Sequence, residues 1–356
     1  MRARPWQTGT RIGTRLAACL FGLTLVAGCG GDSQVHHQRV MVFGTLVDIS
    51  LYGLAAEDAE PLLATIEDEL QTRHETWHAW QTSPLTELNA SLNDNGEATI
   101  PEPLLPLFDR GLPLARATDY RFDPAVGGLV RLWGFHQEPA DDAEPPGDEA
   151  LAEWRDNRPS VADLERDGRE LRSDRRDWQM DFGGVAKGIA LAQVRRRIAE
   201  AEPDAAIVNA GGDLVTYGQP GGRAWRIGVR NPTQGELLGE LAVHRDEAAF
   251  TTGDYERGFE HEGTRYHHVL DPRTGRPARG LRAVTVLAED PAKADAAATA
   301  LLIAGPDNWQ ELASQLDLDR VLVVRPDRSI RAMPGMAKRF EASDTVADEV
   351  VTVSLP

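Results

Sequence analysis

One lysine stands in a glycine-rich segment of a chain that otherwise relies on arginine for positive charge. Only Lys187, Lys293 and Lys338 are lysines among the 38 basic residues, and Lys187 lies in the segment Asp-Phe-Gly-Gly-Val-Ala-Lys-Gly at 181–188. A compact ammonium between small residues suits a phosphate group that a glycine-rich backbone approaches closely. A tight turn from a strand into a helix, with a solvated lysine, would give the same short pattern. The motif alone leaves both interpretations open.

The segment 292–304 is apolar except for Lys293 near its start and the two polar residues Asp295 and Thr299. Asp295 and Thr299 are four residues apart, so on a helix they would lie on one side with Cβ atoms about 5–6 Å apart. A carboxylate and a hydroxyl placed in this way could share a hard cation such as Mg²⁺. Alternatively, Asp295 could interact with the helix dipole and Thr299 could bond back to a carbonyl.

Two adjacent histidines, His267 and His268, lie in a predicted hairpin with arms at 251–255 and 266–275 and a turn near residues 262–263. Because adjacent side chains of a strand face opposite ways, only one of them can enter a given site. A histidine next to a polar turn can act as a general base, although exposed histidines in strands are commoner. The segment Asn-Ala-Gly-Gly-Asp at 209–213 offers backbone amides to an anion, and a plain turn explains it equally well.

The amino terminus has the pattern of a bacterial lipoprotein signal. Four arginines precede an apolar stretch of about 12 residues, 16–27, which is too short for a permanent membrane-spanning helix. Val-Ala-Gly-Cys at 26–29 resembles a lipobox. We therefore expect a signal peptide at 1–28, lipidation of Cys29, a tether at 29–38 and one catalytic domain at 39–356; an ordinary secretory signal with a chance cysteine is the alternative. After cleavage Cys29 would be the only cysteine, so no internal disulfide is expected.

Composition limits the partners and the fold. The net charge is −18 over 356 residues, and loss of the four signal arginines would make it four units more negative. Nucleic acid and anionic lipid surfaces are therefore poor partners, and a salty habitat is one hypothesis for the acidity. Helices interspersed with many short strands, without a strict βαβ rhythm, predict a single large α+β domain. The predicted helices are 56–71, 101–118 in two pieces, 185–201, 292–304 and 308–316. The predicted strands are 39–51, 178–182, 205–209, 225–229, 240–243, 266–270, 283–287 and 321–324, and 138–148 is predicted to be an exposed loop.

In their order along the chain, these motifs resemble the ApbE-type family of FAD:protein FMN transferases. The resemblance covers nearly all of the chain after the signal segment, and it rests on the segments 43–45, 80–89, 122–124, 132–135, 181–188, 209–213, 251–275 and 295–305. It implies a mixed α+β domain of ApbE type with a T-fold-like core. It also implies the transfer of FMN from FAD to a threonine or serine hydroxyl of an acceptor flavoprotein through a phosphoester, with release of AMP.

The resemblance also assigns roles to residues. It places at FAD-binding positions Phe43, Trp80, Arg121, Phe122, Asp123, Asp181, Lys187 and His268. It makes Asp295 and Thr299 ligands of Mg²⁺, together with the backbone carbonyl of Ala186. Two departures from the family pattern are Phe43, where many members have methionine, and Pro84, where an acidic residue usually follows Ser83. We expect the first to alter a flavin contact and the second to affect a helix start.

Chemistry and resemblance together suggest a mechanism. Mg²⁺ and Lys187 would stabilise charge on the pyrophosphate of FAD, and His268 or Asp271 would accept the proton of the acceptor hydroxyl. The implied acceptors are flavoprotein subunits of membrane electron-transfer complexes of the Rnf or Na⁺-translocating quinone reductase type. The implied location is the periplasmic side of a bacterial membrane, with a lipid anchor in the inner membrane. The alternatives are a Mg²⁺-dependent FAD pyrophosphatase and a flavin-binding lipoprotein without turnover.

Overall fold

A hairpin with a two-residue turn opens the described part of the chain. The computed structural model describes residues 34–138, 142–232, 236–346 and 350–353. Strands β1 (Val35–Val42) and β2 (Thr45–Tyr52) pair antiparallel around Phe43 and Gly44, whose φ angles are 52° and 70°. Positive φ at both central residues defines a type I′ turn, which matches the twist of a hairpin. The prediction of one strand over 39–51 was therefore wrong. Residues 35–38, predicted as tether, belong to β1, whereas Cys29 and segment 1–28 lie outside the described residues.

The described residues form eight α-helices. Their bounds are α1 Ala56–Thr76, α2 Pro84–Asn95, α3 Leu105–Ala117, α4 Gly127–Leu132, α5 Asp148–Asn157, α6 Gly183–Glu200, α7 Pro291–Gln315 and α8 Pro334–Ala337. Helix α2 begins at Pro84 after a capping box between Ser83 and Thr86, so proline occupies the first helical turn, where no N–H is needed. Gly305, with φ 75°, interrupts α7, which agrees with the two helices predicted there.

The strands after β2 are short. They are β3 Glu97–Thr99, β4 Glu165–Asp167, β5 Glu170–Arg172, β6 Ala205–Ala210, β7 Asp213–Gly218, β8 Trp225–Arg230, β9 Leu237–Val243, β10 Ala248–Gly253, β11 Gly258–His261, β12 Thr264–His267, β13 Leu270–Asp271, β14 Arg276–Pro277, β15 Ala283–Ala288, β16 Val321–Val324, β17 Ile330–Ala332, β18 Phe340–Ala342 and β19 Val350–Thr352. The predicted strand at 178–182 has no regular secondary structure and pairs with no strand in the described part of the chain.

A nine-stranded sheet forms the centre, in the order β1-β2-β6-β7-β10-β15-β16-β17-β19. Its pairs are antiparallel except β17 with β19. Helices α1, α6 and α7 contact one face, and the three-stranded sheet β18-β9-β8 shares a second core with the other. All six residues of β15 are buried, as expected of a strand covered on both faces. The mixed α+β domain is confirmed.

The predicted hairpin of residues 251–275 is partly right. Its turn lies at Glu262 and Gly263, but the strands that meet there are β11 and β12. Strand β10, predicted as the first arm, pairs instead with β7 and β15 in the central sheet. No helix among the described residues is long and apolar enough to cross a membrane.

Candidate active site

A cavity of about 1150 Å³ collects most of the predicted site residues. Turns and helix starts supply its wall: the β1–β2 turn, the start of α6, the β6–β7 turn, the segment after β10, and one side of α7. The predicted residues that line it are Phe43, Trp80, Arg121, Phe122, Asp123, Asp181, Lys187, His268, Asp295 and Thr299. Ala186 and Asp271 are not among the lining residues.

Lys187 lies in the first turns of α6 and pairs with a carboxylate that also lines the cavity. Its Nζ is 3.0 Å from Oδ2 of Asp213, the first residue of β7, and 29% of its side chain is exposed. Asp213 also accepts a hydrogen bond from the Thr251 N–H. The charge of Asp213 raises the pKa of Lys187 more than burial lowers it. Lys187 is therefore a fixed ammonium, held in place beside the cavity.

Asp295 and Thr299 face the cavity from α7, one turn apart. Oδ2 of Asp295 accepts a hydrogen bond of 2.8 Å from the N–H of Gly188, and Thr299 Oγ1 lies 3.3 Å from Thr252 Oγ1. Burial raises the pKa of Asp295 to about 7, and the nearby charges of Asp213 and Glu256 also raise it, whereas Lys187 lowers it. A bound cation would favour the ionised carboxylate.

The donor set suits a hard cation, although the protein side chains alone are few. A carboxylate and a hydroxyl oxygen are ligands that Mg²⁺ prefers, and Mg²⁺ usually keeps waters and substrate phosphate oxygens as further ligands. The described residues contain no group of three His, Cys, Asp or Glu side chains arranged to hold a metal. The backbone carbonyl of Ala186, which lies in the first turn of α6, is the third ligand that the family resemblance implies.

His268 enters the cavity and its neighbour does not. His268 Nδ1 lies 3.2 Å from the carbonyl oxygen of Arg257, which can only accept, so Nδ1 carries the hydrogen and Nε2 is left as an acceptor. Burial lowers the pKa of His268 to about 4. Of the side chain, 31% is exposed, so the ring can be reached from the cavity. His268 is thus neutral at pH 7 and chemically able to take a proton.

His267 and Asp271 have structural partners instead. His267 is buried, and its Nε2 lies 2.7 Å from the carbonyl oxygen of Ala278. The Asp271 carboxylate accepts bonds from the Nε and Nη2 atoms of Arg273 at 2.9 and 3.0 Å. Asp271 therefore fixes the β13–β14 turn, and its prediction as an alternative base receives no support from this position.

Two aromatic residues, Phe43 and Trp80, line the cavity. Phe43 packs against His74 and Trp77, with ring centroids 5.9 and 6.3 Å apart. The Trp80 ring lies 5.5 Å from the ring of His136, and the guanidinium of Arg131 stacks over it at 5.7 Å. These flat apolar surfaces suit an aromatic ring system.

Asp181 lies between Trp80 and the start of α6. Burial raises its pKa, while hydrogen bonds from Gly183 and the Trp80 side chain offset part of the rise. The bond from the Gly183 N–H is 2.7 Å long. This carboxylate therefore fixes the tryptophan relative to the glycine-rich segment.

The loop 121–123 is held by its own buried aspartate. Asp123 accepts bonds from the N–H groups of Ala125 and Val161 and from the hydroxyl of Ser160, at 3.0, 3.1 and 2.6 Å. Its carboxylate is 3% exposed and mainly positions the loop, which brings Arg121 and Phe122 to the cavity. The Phe122 ring would lie 3.2 Å from a Cβ on Gly184, so the glycine permits this contact.

Sequence reasoning missed the side chains of Asp213 and Glu256. The sequence pattern includes Asp213 only as the end of a glycine turn, although an aspartate that follows such a turn could have suggested a partner for the rare lysine. Glu256 lines the cavity, with Oε2 3.9 Å from His268 Nε2. No local pattern singles it out, because its place depends on how the segment after β10 returns to the cavity.

Comparison with known proteins gives one family. The model of the ApbE family matches residues 43–322. Curated FAD:protein FMN transferases are similar over most of the chain. That of Rhodobacter capsulatus is 35% identical over 364 residues, which cover 98% of this chain and 69% of that protein. That of Treponema pallidum is 28% identical over 351 residues, which cover 90% of this chain and 93% of that protein.

Solved structures have the same fold. The ApbE protein from Thermotoga maritima has a TM-score of 0.78 at 27% identity, and the match covers 86% of this chain and all of that one. The flavinyl transferase ApbE of Pseudomonas stutzeri has a TM-score of 0.75 at 25% identity, covering 87% and 98%.

Proposed function

This chain belongs to the ApbE family, and we propose that it transfers FMN from FAD to a threonine or serine hydroxyl of an acceptor flavoprotein, with release of AMP. The observation that carries the proposal is the convergence, in one cavity, of a fixed ammonium, a neutral histidine and an oxygen pair suited to Mg²⁺. The aromatic residues Phe43 and Trp80 would contact the flavin end of the substrate.

The reaction needs one bond made and one broken at phosphorus. The acceptor oxygen attacks the phosphorus on the FMN side, the bond to the bridging oxygen breaks, and AMP leaves with that oxygen. The hydroxyl proton passes to Nε2 of His268, whose Nδ1–H is held by the Arg257 carbonyl. Lys187 faces the pyrophosphate as a point charge and offsets the negative charge that grows in the transition state.

We propose that Mg²⁺ is held by Asp295 and Thr299 with the carbonyl of Ala186. When bound, the ion would neutralise charge on the phosphate oxygens and make the phosphorus more electrophilic. The bond from the Gly188 N–H orients the Asp295 carboxylate, and Thr252 orients the Thr299 hydroxyl. Asp295 and Glu256 place negative charge where a cation would reside.

The metal assignment has a matched test, because α7 carries a second aspartate near its start. Asp290 is the N-cap of α7 and accepts bonds from the N–H groups of Ala292 and Lys293. Asp290→Ala should cost about 1 kcal/mol of stability and leave the rate unchanged. Asp295→Ala should abolish most transfer, as should EDTA. Wild-type turnover after either treatment would remove the Mg²⁺ proposal.

We also propose a location and partners for the transfer. The signal-like segment supports cleavage before Cys29, lipid attachment there, and display on the periplasmic side of the inner membrane. The acceptors would be flavoprotein subunits of membrane complexes of the Rnf or Na⁺-translocating quinone reductase type. Cys29→Ser should release the protein from the membrane fraction without changing its rate in solution; a variant that stays membrane-bound would contradict the anchor.

Product analysis tests the reaction itself. FAD and Mg²⁺ are supplied with and without a candidate acceptor subunit, and FMN and AMP are separated by chromatography. Transfer predicts AMP formation that depends on the acceptor, with FMN retained on the protein. Equal amounts of free FMN and AMP without an acceptor would instead indicate a pyrophosphatase, and FAD bound without turnover would indicate a binding protein.

A further inference from the structure

Two histidines at the end of α1 contact the backbone of both aromatic residues at the cavity. His74 lies in the last turn of α1, and its Nδ1 accepts a hydrogen bond of 3.2 Å from the N–H of Phe43. His78 lies four residues further on, and its Nδ1 accepts bonds from the N–H groups of Trp80 and Gln81, both 3.0 Å long. The two imidazole centroids are 5.7 Å apart.

These contacts fix the protonation state of both rings. A backbone N–H can only donate, so each Nδ1 must be a lone-pair acceptor, and any hydrogen on the ring must be on Nε2. A protonated imidazole carries hydrogen on both nitrogens and could accept neither bond. The arrangement therefore requires His74 and His78 to be neutral.

The backbone conformation of Phe43 and Trp80 is otherwise weakly determined. Phe43 has φ 52°, a region that a bulky residue enters only at an energetic cost, so the Phe43 conformation needs outside contacts. Trp80 lies in the loop between α1 and α2, where no helix or strand fixes its backbone. The remaining anchors of this loop include the Ser83 hydroxyl, which donates to the His78 carbonyl, and the Trp80 contact with Asp181.

We propose that His74 and His78 are positioning residues that set the flavin-binding wall of the cavity by holding Phe43 and Trp80, and that acidification releases this wall. The inference rests on the proposed function, because it concerns where that substrate's aromatic end binds. Neither histidine is among the residues that line the cavity, so neither is proposed to touch FAD.

The charged surroundings agree with a neutral His78 at pH 7. Burial lowers the pKa of His78 and the neighbouring His74 lowers it further, while Asp181, in the segment before α6, acts in the opposite direction. A histidine with a lowered pKa in the folded state stabilises the fold fully above its unfolded pKa of about 6.5, and this contribution is lost as the pH falls below that value. Release of the wall requires protonation of His78 in the folded protein, so flavin binding should weaken as the pH falls below about 6.5.

The test compares two ligands that represent the two ends of FAD. Binding of FMN, followed by quenching of its fluorescence, reports the flavin end; binding of AMP, followed by calorimetry, reports the other end. His78→Ala should weaken FMN binding by about tenfold, the effect of one or two lost hydrogen bonds, and leave AMP binding unchanged. His78→Asn should restore FMN binding, because the asparagine Oδ1 is attached to Cγ as the histidine Nδ1 is.

The pH dependence separates positioning from general support of the fold. Wild-type affinity for FMN should fall between pH 7.5 and pH 5, and the double variant His74→Asn, His78→Asn should lose most of this fall. Equal FMN binding by wild type and His78→Ala, equal loss of FMN and AMP binding, or an unchanged pH profile in the double variant would each overturn the inference. A wild-type protein that binds no FAD would instead refute the proposed function.

Discussion

Substitution of Lys187 can separate the effect of its positive charge on transfer from the effect of its shape. Lys187→Arg keeps the positive charge, but a planar guanidinium is larger and more directional than an ammonium, and it would pair with Asp213 as a fork. We expect transfer to slow by about tenfold or more. Lys338→Arg is the matched control, because Lys338 is exposed and lies away from the cavity lining, and it should have no effect. Equal rates in both variants would return Lys187 to the role of an ordinary surface residue.

Alanine variants of the neighbouring residues His268 and His267 should have opposite effects on rate and stability. At saturating FAD, His268→Ala should slow acceptor labelling by about 10²-fold or more, the usual contribution of a general base. His267→Ala should leave the rate nearly unchanged but lower stability by about 1–3 kcal/mol, since the carbonyl of Ala278 loses its buried partner. Rates and urea unfolding of both variants provide the comparison. A slow His267→Ala with a normal His268→Ala would reverse the assignment.

The pKa of His268 predicts how the transfer rate depends on pH. Because burial lowers the pKa of His268 to about 4, the ring stays neutral through the physiological range. Activity of a general base is present above its pKa and is lost as the pH falls through it. The acid limb of kcat, measured at saturating FAD and Mg²⁺, should therefore lie well below pH 6.5. A limb near 6.5 that disappears in His268→Ala would contradict the lowered pKa.

At the residue scale, the sequence predicted most side chains at the cavity and few of their partners. Lys187, Asp295 and Thr299 could be found because each is unusual in its local context. His74 and His78 could not, since each imidazole gains its role from backbone N–H groups that only the fold brings to it, and Asp213 had only its place after a glycine turn to suggest a partner for Lys187. The proposed role of Ala186 could not be found from its residue type at all, because a ligand that acts through its backbone carbonyl can have any side chain.

The proposed cation site depends on the crossing of α6 and α7. Gly188 packs against the start of α7, where an added Cβ would lie 2.5 Å from the Pro291 carbonyl oxygen and 2.8 Å from Asp295 Cβ. Gly188→Ala should therefore push the helices apart, costing about 1–3 kcal/mol, and disturb the bond to the Asp295 carboxylate. We expect a lower unfolding midpoint and a higher Mg²⁺ requirement.

Gly147→Ala is the control for this element. Gly147 precedes α5 with φ −63°, and no atom lies within 4 Å of the position that a Cβ would take there. Alanine at this position should leave both stability and Mg²⁺ dependence unchanged. If Gly188→Ala behaved in the same way, the close approach of α6 and α7 would not be what sets the site.

Helices and strands were predicted well where a local sequence pattern determines them. They were predicted poorly where the structure depends on which strands pair. The apolar runs of α7 and β16 were placed within a few residues, and the turn at 262–263 was found from its glycine. The β1–β2 turn was missed because Phe43 is not a typical turn residue at positive φ. Segment 178–182 has the composition of a strand, but the backbone groups of Met180 and Trp178 bond to the side chains of Asn89 and Asn93, and the Asp181 N–H donates to the Pro124 carbonyl.

The acidity of the whole molecule predicts a salt response. With a net charge of −18, self-repulsion opposes folding at low ionic strength, and at about 1 M salt the screening length falls to about 3 Å. The thermal midpoint at pH 7.5 should rise from low salt to molar NaCl. Near the isoelectric point of about 4.9 the rise should largely vanish, which separates screening from a general salting-out effect. Equal midpoints at both salt levels at pH 7.5 would exclude charge repulsion as a determinant of stability.

In the proposed reaction, FMN passes from FAD in the cavity to a hydroxyl group of another protein. The most direct measurement is the mass of an acceptor subunit after incubation with this protein, FAD and Mg²⁺, with fragmentation to locate the added group. We predict one FMN added through a phosphoester to a single threonine or serine, one AMP released for each, and no addition with Asp295→Ala. An acceptor of unchanged mass, while FAD is converted to free FMN and AMP, would contradict the claim.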